Sequence, residues 1–553
     1  MFRNALPVLA LIAVSAPLCA QVSTGGLPYG LRAGLGLAQV PVVHAAPFDA
    51  ERVAADDAAR QAERKVPAYA RVQQVAAGLG QGGQWTELPN GDRLWRAELV
   101  SDGALATELY FSDFRLPENA SLYVYSPDGA QVLGGFTAYN NSEEGTFATS
   151  QIAGEACVLE YYEPAAVAGI GRVQVSGIGH AYRWVEGAAD AGACEVDVNC
   201  SEGDNWHPQR DAVVRISITD GQAMYWCSGT LVNNLAQDCK PYFLTAQHCG
   251  EGIAASFYNQ WKFYFRYERN GCGASSGSMP GTKTMTGCVK RGSSNDGGGD
   301  SGSDFLLLEA NTATIPPNYT PFWAGWDATG AVSTGGVCIH HPDGDRKKIS
   351  TFTGSTASTT WGGVPNTHWR VNWTATAHGA GVTEPGSSGS ALFNGAKRII
   401  GTLTGGTSSC ASTGSPDYFG KMSYHWQSNP GAANMRLKVF LDPQSTGTLS
   451  MDGSYTPCGN PVGIAEEQAV GTTLSVRPNP ADDAAVITLP AAMRPGTTLE
   501  VRDMGGRLVA RQAVHTAEVF SLPTASLEEG AYVLVLAVDG RVEATAPLIV
   551  AHP

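Results

Sequence analysis

Three short stretches of this sequence carry side chains that could do nucleophilic chemistry together. The apolar run Tyr242–Ala246 ends in Gln247, His248 and Cys249, which sets an imidazole at the mouth of a buried strand and tethers it by a cysteine. That is where a fixed general base belongs. Cys227, just ahead of Ser-Gly-Thr-Leu-Val, is a ready partner for Cys249, and closing that loop contributes on the order of 3 kcal/mol in the chain-entropy picture. Ser303 and Asp304 introduce Phe305–Leu308, a run apolar enough to be a core strand. A carboxylate at that edge can be buried, bond to His248 Nδ1, fix its tautomer and stabilise the imidazolium. Glu384–Ser390 reads Glu-Pro-Gly-Ser-Ser-Gly-Ser, a tight turn ahead of the strand Ala391–Phe393. There Ser388 has neighbours without bulk, so its loop can present the N–H groups of Gly386 and Ser388 to a developing oxyanion. A hydroxyl alone is a weak nucleophile, and His248 would supply the base. Singly, each stretch reads equally as a linker, a structural histidine or a turn aspartate. Together, each beside an apolar strand, His248, Asp304 and Ser388 point to an acyl-transfer triad.

These side chains need rigid elements, and composition says which. At 553 residues the chain is too long for one core, and three or four units are expected. The 66 glycines, 31 prolines and abundant Thr, Ser, Val and Tyr favour strands and turns, so a mostly β fold is expected. A net charge of -15 with scattered basic residues argues against a nucleic-acid binder.

Arg3, the apolar run Ala5–Val14 and the small residues up to Ala20 form an expected secretory leader, 1–20. The apolar stretch is short for a bilayer and broken by Pro7 and Pro17, and no later segment is apolar enough to span one. Exported chains meet oxidising compartments, so the cysteines should pair. Removing Cys19 leaves eleven of the 12, so at least one thiol is free or paired elsewhere, with Cys157 and Cys458 the natural suspects. Their distribution divides the chain: only Cys157 between Gln21 and Asp190, ten from Cys194 to Cys458, none beyond. In the first region, alternating Leu94–Leu99, Thr107–Phe111 and Ser121–Tyr125 predict a small β-sandwich, preceded by a short helix over Glu51–Lys65. Its expected role is a propeptide, 21–190. The last region, 471–553 after a linker at 456–470, places strands near Ala485–Leu489, Leu499–Val501 and Tyr532–Leu536, a compact β-sandwich. With its Pro478-Asn-Pro-Ala start and late Gly530-Ala-Tyr strand it resembles the C-terminal sorting domains of the type nine secretion system, which implies that machinery as a partner and a secreted or surface location.

The order His, Asp, Ser along the chain is that of chymotrypsin-like double β-barrels. Residues from about Cys194 to Asp452 resemble the bacterial lysyl endopeptidases, a trypsin-like branch. The motifs are Cys227-Ser-Gly-Thr-Leu-Val-Asn-Asn, Tyr242-Phe-Leu-Thr-Ala-Gln-His-Cys-Gly, Ser303-Asp-Phe-Leu-Leu-Leu-Glu, Phe322-Trp-Ala-Gly-Trp-Asp, Ile339-His-His-Pro and Gly381-Val-Thr-Glu-Pro-Gly-Ser-Ser-Gly-Ser. The resemblance implies a protease domain over 191–455 and the disulfides Cys194–Cys410, Cys200–Cys272 and Cys227–Cys249. Cys239 and Cys338 lack family counterparts and are expected to pair with each other. Ile399–Gly406 should line the primary pocket, with Asp417 as its charged floor, which selects a cationic side chain. In lysine-specific members an aromatic residue and a histidine stack beside the pocket. Trp361 matches the first, but Thr404 takes the second place, so arginine is an alternative.

The expectation is therefore a secreted serine endopeptidase that cuts after basic residues, Lys favoured, acting on protein or peptide substrates and using no cofactor. Alternatives are Arg or dual specificity, and an inactive surface adhesin on the same fold. Lys65 is the sole lysine before Lys240, so a strict lysine cutter could not free its own N-terminus near Gly192, whereas an arginine cutter could use Arg183. Metal readings are set aside for His340 and His341 with Asp343 and Asp345, because that stretch has no known ligand role in the family it resembles, and for the acidic loop Asp296–Asp304, because the full ligand spacing is absent.

Overall fold

A computed structural model describes residues 21–22, 25–37, 40–62, 66–183, 191–273, 282–312, 314–458, 474–488, 497–503, 507–513, 519–538 and 541–552. The expected leader, Lys65 and most of the expected linker lie outside them. The chain divides into two compact units, Met1–Gly459 and Asn460–Pro553. Among the described residues no helix is long and apolar enough to cross a membrane.

After short elements at Gln21–Val22, Tyr29–Arg32 and Val42–His44, the first unit carries α1 (Ala50–Ala62), in the expected place. The principal strands that follow are β1 (Ala68–Gly78), β2 (Arg93–Val100), β3 (Ala106–Arg115), β4 (Ser121–Tyr125), β5 (Ala156–Glu163) and β6 (Arg172–Ala181). β5 lies between β2 and β4 in one sheet, and β6 between β1 and β3 in another. Alternate side chains of both sheets, among them Leu109, Phe111, Leu122, Val124, Cys157 and Leu159, meet in a shared core, which is the expected sandwich.

The chain continues through β7 (Val213–Thr219), β8 (Ala223–Val232), β9 (Tyr242–Thr245), β10 (Lys262–Phe265) and β11 (Leu306–Ala310). A second antiparallel set comprises β12 (Gly336–His340), β13 (His368–Val371), β14 (Ala391–Asn394), β15 (Ile399–Gly406) and β16 (Asp417–Lys421). In this set β12, β14, β15, β16 and β13 lie side by side in that order. Leu306 and Leu308 of β11 point into one core with Ile216, Phe243 and Phe263. Phe305 and Leu307 point the other way, into a core shared with Val337, Ile339, Phe393 and Ile399 of the second sheet. Burial on both faces explains why these strands read as unbroken apolar runs rather than alternating ones.

The sandwich and the central sheet are continuous, because β1 pairs with β8 through Arg71 and Ala223, Ala70 and Met224, and Ala68 and Tyr225. Tyr69 stacks on Trp226 with ring centroids 4.1 Å apart, and its hydroxyl bonds Glu108 and Ser217 at 2.7 Å each. Beside it the fully buried Lys262 ammonium pairs with the equally buried Glu108.

The disulfides Cys194–Cys410, Cys200–Cys272 and Cys227–Cys249 form as expected. The expected Cys239–Cys338 pair does not: Cys239 joins Cys458 instead. Cys338 is held inside the second sheet's core, its sulfur 3.1 Å from Ser390 Oγ, whereas Cys239 belongs to the other core. Cys157, Cys288 and Cys338 are buried free thiols.

In the second unit the principal strands are β17 (Ala484–Thr488), β18 (Thr497–Asp503), β19 (Gly530–Val538) and β20 (Arg541–Val550). β19 pairs with both β18 and β20, and Ile487, Leu499, Val501, Leu534 and Leu548 share one core.

Removing one member of a buried ion pair strands the other. Glu108→Ala should therefore cost about 3–5 kcal/mol in urea unfolding of the first unit. The joint change Glu108→Leu with Lys262→Met should cost clearly less.

Candidate active site

Strand register brings the first two candidate residues together. In the antiparallel pair of β9 and β11, Thr245 stands opposite Leu306. The chain that leaves β9 three residues on and the chain that enters β11 two residues earlier are therefore neighbours. His248 sits in a short helical turn, Gln247–Cys249, clamped by the disulfide to Cys227 on β8. Its Nδ1 lies 2.7 Å from Asp304 Oδ2, and its backbone N–H donates to Asp304 Oδ1 at 3.0 Å. The Asp304 side chain is fully buried, while that of His248 keeps 19% of its surface open. Burial alone would lower the His248 pKa, but the adjacent Asp304 charge and hydrogen bond outweigh it and hold the pKa above the ordinary value. Burial likewise pushes Asp304 up, and His248 brings it below the usual carboxylate range.

Ser388 approaches from the second sheet. Its carbonyl accepts the N–H of Ser228 at 2.9 Å, and the next residue, Gly389, donates to Leu403 O at 2.9 Å. Gly389 has φ +80, and a Cβ there would lie 2.0 Å from Thr245 Oγ1 and 2.6 Å from Ala246 N. Glycine alone lets the serine turn press against the strand that carries His248. Gly386, at φ +91, is pressed in the same way on His341 O and Gly344 N, and its carbonyl accepts Ser228 Oγ at 2.9 Å. Ser387 Oγ bonds His340 Nδ1 at 2.8 Å and accepts the Glu384 N–H at 3.2 Å. The half-buried Ser388 hydroxyl has no hydrogen-bond partner among the described residues, nor do the backbone N–H groups of Gly386 and Ser388.

Asp417, at the start of β16, is fully buried. Its carboxylate accepts Trp373 Nε1 and Ser408 Oγ at 2.6 Å and Thr383 Oγ1 at 2.8 Å. All three donors are neutral, and among the described residues no cation pairs with it. Burial raises its pKa against the pull of these bonds. Trp361 packs 5.3 Å from the Tyr418 ring, and a Cβ on Gly405 of β15 would lie 3.2 Å from Trp361.

Sequence reasoning left two residues out. His368, fully buried on β13, bonds Thr404 Oγ1 through Nε2 at 2.9 Å and Thr367 Oγ1 through Nδ1 at 2.7 Å, and its ring lies 5.9 Å from that of Trp361. A histidine thus meets both Trp361 and Thr404, but it arrives from a neighbouring strand, 36 residues earlier. No local pattern marks it. Asp296 had a signal, the acidic glycine-rich loop, but its carboxylate holds that loop together through the N–H groups of Gly299 and Asp304. His340 and His341 bond Ser387, Ser350 and the Asp345 carbonyl.

Residues 188–420 match the family described as "Lysyl endopeptidase, C-terminal domain". Residues 475–551 match "Secretion system C-terminal sorting domain", which marks a secreted or surface-held chain. The lysyl endopeptidase of Pseudomonas aeruginosa PAO1 is 32% identical over 252 residues, which cover 43% of this chain and 51% of that protein. The chain thus spans about half the length of this curated relative. Among solved structures, the protease Anisep of Arthrobacter nicotinovorans is 19% identical with a TM-score of 0.27, covering 38% of this chain and 90% of that one. A serine endoprotease of Yersinia pestis is 16% identical with a TM-score of 0.24, covering 39% and 61%.

Gly389→Ala forces a Cβ against Thr245 in a left-handed residue. It should cost about 1–3 kcal/mol of stability and abolish labelling of Ser388 by a fluorophosphonate, read by thermal unfolding and by intact mass.

Proposed function

We propose that this chain is an exported serine endopeptidase that cuts after basic residues, Lys favoured, by an acyl-enzyme mechanism. The observation that carries the reading is the Asp304–His248 pair, with Ser388 held beside the same strand by a glycine contact. Ser388 Oγ attacks the peptide carbonyl as His248 Nε2 takes its proton, Asp304 holds the imidazolium, and the N–H groups of Gly386 and Ser388 receive the oxyanion. The protonated His248 then passes its proton to the leaving amine, and water repeats the sequence to free the acid. No cofactor takes part.

Asp417 supports the choice of a basic residue. A buried carboxylate with only neutral donors gains most from a substrate cation, and a neutral side chain would leave it unpaired. Trp361 and Thr404, with His368 behind it, form the rim that decides between lysine and arginine. The reading includes a propeptide over 21–190, a protease domain over 191–455, and a sorting domain over 471–553 that engages the type nine secretion machinery. Arg183 is the candidate maturation site. Its guanidinium is held by Asp57 at 2.7 Å and by the Ala68 carbonyl at 2.5 Å.

Cleavage-site mapping by mass spectrometry on a denatured proteome, beside a Ser388→Ala control, tests the reading. Cuts after Lys are expected, and cuts after Arg as well would make Arg183 a self-processing site. No cuts beyond the control would leave an inactive protease-fold adhesin. Asp417→Asn should lower kcat/KM on basic substrates at least about 100-fold while fluorophosphonate labelling of Ser388 persists.

A further inference from the structure

The segment that leads into Asp304 is built around one side chain. Gly297, Gly298 and Gly299 take φ values of +68, +69 and +93, and the chain turns back on Asp296. The Asp296 carboxylate accepts the Gly299 N–H through Oδ1 at 3.0 Å and the Asp304 N–H through Oδ2 at 2.9 Å, while its carbonyl accepts the Ser301 N–H at 3.0 Å. Asp304 sits at φ +61, left-handed backbone that costs a non-glycine residue on the order of 1 kcal/mol or more. It is the capture of its amide that keeps it there. The loop also fits tightly: a Cβ on Gly298 would lie 3.1 Å from His248 Cβ, and one on Gly302 would lie 2.4 Å from Asp296 Oδ2. Asp296 is itself only 5% exposed, and among the described residues no cation pairs with it.

We propose that Asp296 is a positioning residue: it holds Asp304 in the left-handed turn that aims its carboxylate at His248, and it adds its negative charge to those of Asp304 and Glu251 that act on the imidazole. The inference rests on the catalytic reading above. Burial pushes the Asp296 carboxyl up, against the pull of the Asp304 and Gly299 amides. Glu251 from the turn after β9, Asp304 and Asp296 all act on His248 in the direction of the imidazolium. His368 from β13 and His425 from the helix after β16 face Asp304, and Tyr424 faces Asp296. The two histidines are held neutral, their pKa values lowered by burial to about 4 and about 3. Of the two negative groups besides Asp304, Asp296 is the one that also holds the Asp304 amide, and its charge can be removed while the Asp304 contact with His248 stays.

The test uses the full chain with labelled histidine rings and follows the titration of His248 by NMR, together with hydrolysis kinetics. Asp296→Asn keeps size and one acceptor but loses the charge, so the neutral imidazole is favoured. The His248 midpoint and the acidic limb of kcat/KM should both move to lower pH, and kcat should fall about tenfold or more with KM changed little. Asp296→Glu keeps the charge but misplaces the oxygens, so it should lose kcat while the midpoint stays high. A fall in kcat with an unmoved midpoint in Asp296→Asn, or an unchanged kcat in both variants, overturns the proposal. Failure of the catalytic reading looks different: the unaltered chain hydrolyses nothing, and the NMR midpoint still judges Asp296.

Discussion

A carboxylate taken fully out of water is costly unless its hydrogen bonds and charge are answered, and the bare ion would lose several kcal/mol even after relaxation. Asp304 is such a group, and the architecture around it serves to answer it. Both oxygens are taken by His248, one through the ring and one through the backbone. Its amide goes to Asp296, and its carbonyl accepts Thr402 Oγ1 at 3.4 Å from β15. The ion pair is made within the β7–β11 half, and Thr402 adds a contact from the second sheet. Burial then works in favour of the site, because a charge interaction in a dry environment is stronger than the same one in water.

That dependence explains what could be read from residues alone. The strands β9, β11 and β14 were legible because each is buried on both faces, which forces an unbroken apolar run, and each ends at a residue type that stands out. The helix over Ala50–Ala62 was legible from its Ala-rich, charged composition. The partner of Cys239 was not legible. Cys458 is 219 residues away, and nothing local distinguishes it from Cys338, which lies in a different core. His368 and the office of Asp296 were hidden for a related reason. Both act through contacts between segments, a strand neighbour in one case and a folded loop in the other, and neither leaves a periodic trace.

The cysteine distribution separates the first region from the central one at about residue 190, but the packing joins them. Tyr69, Tyr110, Ala148 and Ala181 from the first region form one cluster with Met224, Trp226, Tyr264 and Tyr267 from the central one. Lys262 has no other carboxylate within ion-pair reach among the described residues than Glu108. A cut in the connecting chain would leave these contacts in place. Composition reports where the cysteine usage changes, and burial reports what the chain folds with. The two need not coincide, since a strand added at a sheet edge satisfies the same backbone groups whatever its origin.

The same physics separates His248 from its neighbours. Several imidazoles of the central region are buried among hydroxyls. His340 lies between Ser387 and Ser350, His368 between Thr367 and Thr404, and His425 between Ser303 and Thr402. Burial drives them to about 3, about 4 and about 3, so at neutral pH they are uncharged cross-links that orient hydroxyls. Hydroxyl partners can satisfy a neutral ring without favouring its charged form. His248 is less enclosed than these three and has a carboxylate on Nδ1, which outweighs burial and reverses the direction of its shift. Burial alone therefore identifies nothing here. The distinguishing mark is burial with an ionised partner, on a side chain that keeps a fifth of its surface open.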